Sequence, residues 1–125
     1  VVYGAYARLK TLSRQVSRDH ILPPISWLVH YAGLPLASLQ SGVNLAGFAP
    51  ADLVDELWPR PILVIHGLKD EIIRFEQGEG LYEAAVPPKR NLWIYDGDHN
   101  DIINNSAVSR EVRLFLENAR PMPVI

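Results

Sequence analysis

Residues 59–70 of this chain read PRPILVIHGLKD, and they carry the strongest indication of its fold. Its two prolines exclude a helix at the start, because proline fixes φ and lacks a backbone donor. Four aliphatic residues, Ile62 to Ile65, follow without a polar interruption, and a glycine closes the run soon after. Such a run is typical of a strand buried on both faces of a parallel sheet. Asp70 then lies in the loop past the carboxyl end of that strand, where ligands bind in open α/β sheets.

A second β-rich run, NLWIY at residues 91–95, ends in the polar loop DGDHND at residues 96–101. Between the two runs, residues 75–86 carry apolar and small side chains at helical spacing, which predicts a helix. Strand, helix and strand make a βαβ unit with a right-handed crossover and neighbouring parallel strands. Asp70 and His99 are therefore expected at one edge of the sheet, close enough to form a hydrogen bond.

These residues resemble the α/β-hydrolase family. The resemblance extends from Arg60 to Asp101 and consists of a strand ending in His-Gly, an acid three residues after the glycine, a helix, a strand, and Gly-x-His. In that family the acid and the histidine belong to a Ser-Asp-His triad, in that chain order. The resemblance implies that Asp70 is the triad acid and His99 the triad base. It also implies an α/β fold with parallel strands and helices on both faces.

Other residues compete weakly for these roles. Asp96, Asp98 and Asp101 are alternatives for the acid, but they share the loop of His99 and are poorly placed to support its ring from behind. His66 ends the core strand, where packing and a local hydrogen bond are the expected roles.

The nucleophile of such a triad is missing from the sequence. The family places it in Gly-x-Ser-x-Gly upstream of the acid, and no serine before Asp70 lies between paired glycines. There is also no cysteine to replace it, and the chain begins at Val1 rather than at methionine. We therefore expect residues 1–125 to be the C-terminal segment of a single α/β-hydrolase domain. Residues 19–58 are then cap-like or connecting helices, and residues 59–125 the last two strands and the closing helix.

Residues 21–50 contain no Asp, Glu, Lys or Arg. A membrane span needs about 20 apolar residues with few interruptions, and prolines, glycine and polar side chains interrupt this run. We therefore predict no stable membrane span, with interfacial association as an alternative. The pattern predicts two short helices, near residues 25–31 and 36–40. The resemblance implies a cap in which Trp27 and Tyr31 bind substrate in an apolar acyl pocket; alternatively, they pack on the sheet.

The remaining segments follow from local patterns. Residues 1–3 are the expected tail of a strand, residues 6–18 an amphipathic helix with a basic outer side, and residues 50–58 a helical turn. After His99, Ile102 and Ile103 are expected to return to the core. A closing helix is expected to start within residues 104–106, to pack through an apolar stripe that includes Leu116, and to end before Pro121 and Pro123.

Composition limits the partners. The formal net charge of -2 gives no electrostatic reason to expect nucleic acid or an anionic membrane. Zero cysteines exclude disulfides and thiolate metal sites. A metal could bind at the sheet edge where four side chains are expected to converge, namely His66, Asp70, His99 and Asp101, but no local ligand motif supports such a site. We therefore predict no metal and no cofactor.

No signal peptide is visible, and a soluble cytoplasmic protein is the default expectation.

The predicted function of the complete protein is that of a serine hydrolase, esterase or peptidase-like, acting on a small-molecule ester, thioester or amide or on a peptide. A non-catalytic α/β-hydrolase-like binding or scaffold protein is the alternative, because the nucleophile position is not visible. The isolated chain is expected to be inactive by the triad route. It is also expected to self-associate, because its core strand needs neighbouring strands that a missing half would partly supply.

Overall fold

A computed structural model of the chain describes residues 1–100 and 104–119. The predictions for Asp101, Ile102, Ile103, Pro121 and Pro123 lie outside the described residues. The elements, in chain order, are strand β1 (Val2–Tyr3), helices α1 (Leu9–His20) and α2 (Ile25–Ser41), strand β2 (Ile62–Gly67), helix α3 (Phe75–Ala84), strand β3 (Lys89–Ile94) and helix α4 (Ser106–Asn118). Three short 3₁₀ turns within residues 45–57 connect α2 to β2, in place of the single helical turn expected at residues 50–58.

The three strands form one parallel sheet in the order β1-β2-β3. Val2 of β1 pairs with Val64 of β2, and Ile62 of β2 pairs with Lys89 of β3. The sheet confirms the predicted α/β class, and β2 is its central strand. The carboxyl ends of β2 and β3 therefore lie side by side.

Helices cover both faces of β2, as predicted. Side chains alternate across a strand, so Val64 lies against Leu81 of α3 on one face, while Ile65 lies against Val108 and Phe115 of α4 on the other. All six residues of β2 are buried. Because neither face of this strand contacts water, apolar side chains are favoured on both faces, and this explains the unbroken aliphatic run.

Helix α2 differs from the prediction. Two short helices were expected, whereas one helix runs from Ile25 to Ser41 through Pro35. Proline removes one helical donor, but its fixed φ is compatible with a helix, and the ring of Pro35 lies on an exposed side. The helix ends at Gly42, whose φ of 72° is left-handed and therefore suits glycine. None of the helices in residues 1–100 and 104–119 combines the length and the apolar character that a membrane span needs.

Helix α1 begins at Leu9 rather than at residue 6. The N–H of Ala7 donates to Oε1 of Gln77 at 3.1 Å, and that of Leu9 donates to the carbonyl of Phe48. These partners lie far away in the sequence. They hold residues 4–8 in a connecting segment that local periodicity cannot distinguish from a helix.

The closing helix α4 starts where the sequence predicts. Oδ1 of Asn105 accepts from the N–H groups of Ala107 and Val108, a standard N-cap arrangement. One part of the predicted apolar stripe is wrong, because Leu116 is exposed. It lies one position beyond the buried Phe115, and one position turns a side chain about 100° around a helix.

Candidate functional site

Two loops, one after β2 and one after β3, meet at one edge of the sheet. The N–H of Lys69 donates to the carbonyl of Gly97 at 3.1 Å, and the N–H of Leu68 donates to that of Ile94 at 2.9 Å. A Cβ atom on Gly67 would collide with the carbonyl group of Gly97. Glycine at position 67 therefore allows the backbones to approach, and the hydrogen bonds then fix the two loops against each other.

The Asp70 side chain is buried in the first of these loops. Its Oδ1 accepts from the N–H groups of Ile72 at 3.0 Å and Ile73 at 2.8 Å. Asp side chains commonly bind N–H groups a few residues onward and so close a tight turn. With Oδ1 engaged in this way, Oδ2 points away from the turn and is available to a partner from the other loop.

That partner is His99. Its Nδ1 lies 2.7 Å from Oδ2 of Asp70, although the two residues are far apart in the sequence. An ionised carboxylate can only accept, so Nδ1 carries the proton and Nε2 of the neutral ring is an acceptor. The side chain of His99 is 27% exposed, whereas that of Asp70 is fully buried. Within the described residues, Nε2 of His99 forms no hydrogen bond with another side chain or with the backbone.

Strand β1 supports His99 from one side. The Tyr3 hydroxyl donates to the carbonyl of His99, and the two rings stack with centroids 6.2 Å apart. Gly4 follows with a left-handed φ of 51°, and a Cβ there would come within 3.1 Å of Cε1 of His99. Sequence reasoning missed both residues. The only available signal was a glycine directly after a short strand.

Two of the competing acids, Asp96 and Asp98, have other partners. Asp96 forms an ion pair with Lys69 at 2.6 Å, and Oδ1 of Asp98 accepts from the N–H of Asn100 at 2.7 Å. Among the described carboxylates, that of Asp70 contacts the His99 ring, at 2.7 Å from Nδ1. A cleft of about 370 Å³ opens beside His99 and is lined by Lys69, Glu71, Ile72, Asp98 and Asn100 together with His99.

Residues 1–100 and 104–119 contain no group of three His, Cys, Asp or Glu placed to hold a metal ion, and Asp101, one of the four ligands considered, lies outside these ranges. Nε2 of His66 is instead 2.7 Å from the carbonyl oxygen of Ile73.

Trp27 and Tyr31 lie on α2 with their rings 5.2 Å apart. They line a small cleft of about 150 Å³ together with residues of α1, among them Arg14 and Arg18. Asp70 and His99 do not line that cleft. The structure therefore does not bring these aromatic residues to the Asp–His pair, and their role in substrate binding stays a prediction.

Comparisons with known proteins agree with the fold. No protein-family model matches the chain. The chain is similar to "Alpha/beta hydrolase domain-containing protein aho-3" of Caenorhabditis elegans, with 37% identity over 57 residues, which is 46% of this chain and 17% of the relative. It is also similar to human "Alpha/beta hydrolase domain-containing protein 17B", with 43% identity over 42 residues, or 34% of this chain and 15% of the relative.

A bacterial relative, "Uncharacterized protein YfhR" of Salmonella typhi, is 44% identical over 43 residues, again 34% of this chain and 15% of the relative. The aligned stretches thus span less than a fifth of the curated relatives. Over those stretches the chain is related to the α/β-hydrolase superfamily.

Proposed function

We propose that this chain supplies the acid and the base of a serine hydrolase, an esterase or peptidase-like enzyme that cleaves an ester, thioester or amide bond. The observation that carries the proposal is the 2.7 Å hydrogen bond between the buried carboxylate of Asp70 and Nδ1 of the partly exposed His99. The relationship to the α/β-hydrolase superfamily supports it, because that fold commonly carries a Ser-Asp-His triad in this chain order.

The two residues have different roles in this mechanism. Nε2 of His99 takes the proton of the serine hydroxyl as the oxygen attacks the carbonyl carbon, and later returns a proton to the leaving group. Asp70 holds the ring in the tautomer with the proton on Nδ1 and stabilises the imidazolium that forms. Burial strengthens this second effect, because water screens a buried charge pair less.

The nucleophile is proposed to lie upstream of these residues, in a longer chain of which they are the C-terminal segment. Two observations support this. No serine of the 125-residue sequence lies between paired glycines, and the matches cover only 15–17% of the relatives. The oxyanion hole and much of the substrate pocket would then lie on the same upstream part.

Ester hydrolysis by the protein expressed from its complete reading frame tests the proposal. With p-nitrophenyl esters as substrates, we expect Asp70→Asn to lower kcat by about 10⁴-fold, because a wrong histidine tautomer has that effect in serine proteases. His99→Ala is expected to lower kcat at least as much, because it removes the base itself. The control is Asp96→Asn, which removes a carboxylate from the loop of His99 and is expected to have little effect, because Asp96 pairs with Lys69 rather than with His99.

Two outcomes would contradict the proposal. One is a folded wild-type protein without hydrolase activity, which would favour the alternative of a non-catalytic binding or scaffold protein. The other is activity that survives His99→Ala.

A further inference from the structure

We propose that His66 is a positioning residue, which holds the Asp70 carboxylate in place through the peptide backbone of Ile73. The proposal deepens the proposed function and rests on it for its catalytic consequence. Its structural part concerns only the loop of residues 70–73 and the Asp70–His99 hydrogen bond, and can be tested without any activity.

The tautomer of His66 follows from its partner. The side chain is completely buried, and Nε2 lies 2.7 Å from the carbonyl oxygen of Ile73. A carbonyl oxygen can only accept, so Nε2 carries the proton. Nδ1 is buried and has no hydrogen-bond partner within the part of the chain that the structure describes. An additional N–H at Nδ1 would be a buried donor without a partner, which is costly. The structure thus assigns a neutral ring with the proton on Nε2.

Ile73 connects this ring to the catalytic acid. Its N–H donates to Oδ1 of Asp70 at 2.8 Å, while its carbonyl oxygen accepts from His66 at 2.7 Å. The backbone of Ile73 is therefore held on both sides. Without the second bond, the loop could rotate the N–H of Ile73 away from Oδ1. The carboxylate would then lose the contact that directs Oδ2 toward His99.

A second contact links the two imidazoles through the same oxygen. Nε2 of His66 is 3.5 Å from Oδ2 of Asp70, the oxygen that accepts from Nδ1 of His99 at 2.7 Å. At 3.5 Å this is a longer contact than the bond to Ile73, and it brings the positive edge of a neutral ring near a buried negative charge. A buried carboxylate depends on such donors, because it has lost its water.

Helix α3 keeps the ring of His66 in this orientation. A Cβ on Gly78 would collide with Nδ1 and Cγ of His66, so the helix backbone lies directly against the ring. The ring of Phe75 meets it edge-on, with the centroids 6.2 Å apart. A side chain enclosed in this way cannot swing to another rotamer. The ring is therefore a fixed donor rather than a filler of space.

The first test determines the tautomer of His66 in the wild-type protein. Long-range ¹H–¹⁵N NMR of the protein expressed from its complete reading frame, with labelled histidine, reads the protonated nitrogen of each ring. His66→Gln identifies the His66 signals by their loss. We expect a neutral His66 with the proton on Nε2. A proton on Nδ1, or an imidazolium at neutral pH, would overturn the proposal, because the assigned tautomer would be wrong.

The second test uses a matched pair of variants. The amide nitrogen of Gln can reach the position of Nε2 and donate to Ile73, whereas Leu has a similar volume and cannot donate. In His66→Leu we expect the downfield proton of the His99 Nδ1–H···Asp70 bond to be lost and the Ile72 and Ile73 amides to exchange faster with solvent. In His66→Gln we expect the downfield proton to remain visible and the Ile72 and Ile73 amides to exchange as slowly as in the wild-type protein. Unaltered signals in a folded His66→Leu protein would overturn the proposal.

Kinetics complete the experiment. His66→Leu is expected to lower kcat by about 10²-fold with little change in KM, because small misplacement of a catalytic group has effects of that size; His66→Gln is expected to recover most of the loss. An inactive wild-type protein whose NMR signals behave as expected would refute the proposed function but not the positioning role. An active His66→Leu protein with the wild-type kcat would refute the catalytic part of the positioning role and leave the proposed function intact.

Discussion

At the scale of single residues, two glycines explain why an aspartate and a histidine on separate loops can meet. Gly67 and Gly97 lie so close together that a side chain at position 67 would occupy the carbonyl group of residue 97. Asp70 and His99 follow these glycines by three and two residues in the sequence. The glycines therefore contribute to the site geometry without any chemistry of their own.

Gly67→Ala tests this view. Because the obstacle is backbone and cannot move aside, we expect the free energy of unfolding to fall by about 3 kcal/mol, at the upper end of overpacking effects. Gly80→Ala is the matched control, since its new Cβ would meet Ala7 at an ordinary 3.6 Å. On an unstrained helix the control gains up to about 1 kcal/mol. Urea denaturation of both variants measures the difference, and equal stabilities would contradict the account.

The hydrogen bond between Asp70 and His99 could be predicted, because each residue belongs to a short motif at the end of a strand. The support by Tyr3 and Gly4 could not, since it comes from the far end of the chain. The orientation of His66 toward Ile73 was likewise invisible, although a local hydrogen bond of some kind was expected.

At the scale of elements, a buried histidine lies at the contact between α1 and α2. His30 lies on α2, and its Nδ1 is 3.4 Å from Oγ of Ser13 on α1. Burial lowers the pKa of His30, and the nearby charges of Arg14 and, to a smaller extent, Lys10 lower it further. We therefore expect the free energy of unfolding to decrease at acidic pH.

The direction of this pH dependence follows from the pKa of His30 in the unfolded and folded states. The unfolded chain has an ordinary histidine pKa of about 6.5, so it binds the proton more tightly than the folded chain does. The contribution of His30 to stability is fully present above that pH, is lost as the pH falls through it, and levels off below the lowered pKa of the folded state. His30→Gln should remove this loss. We would measure the free energy of unfolding of both proteins at about pH 8 and about pH 5; an identical decrease in both would contradict the prediction.

Element boundaries were predictable where a local signal sets them. Asn105 caps α4 through its own side chain, and the prolines before β2 exclude a helix. The continuous α2 was not predictable, because a proline in a helix interior usually kinks or breaks the helix, and no local signal at Pro35 indicates that the helix continues. The start of α1 was also missed, because it depends on a hydrogen bond to the distant Gln77 that local periodicity cannot show.

At the scale of the whole molecule, apolar surface remains uncovered on the described residues. Helix α2 exposes large apolar side chains, among them Trp27, Leu36 and Leu39, the last to 82%. Within the described part of the sheet, β1 and β3 each pair with β2 alone. An apolar cleft of about 480 Å³ lies between Val1, residues 59–61 and α4. Surfaces of this kind favour association.

We therefore expect the isolated 125-residue chain to self-associate. Light scattering should show a mass that rises with protein concentration. The double variant Leu36→Gln, Leu39→Gln should lower that mass at equal concentration, because it removes apolar surface from α2. A monomer whose mass is insensitive to dilution would contradict this expectation for the wild-type chain.

The α/β class, the βαβ unit and the meeting of Asp70 with His99 could be predicted because a buried strand and two loop motifs lie close together in the sequence. The substrate could not, because Trp27 and Tyr31 line a different cleft from His99.

The most direct test of the central claim, that Asp70 and His99 serve a serine nucleophile, is labelling with a fluorophosphonate probe followed by mass spectrometry. The probe reacts with a serine that a neighbouring base activates. We predict that the protein expressed from its complete reading frame is labelled at one serine upstream of these 125 residues. His99→Ala and the isolated chain should both remain unlabelled. No labelling of the folded wild-type protein, or equal labelling of His99→Ala, would contradict the account.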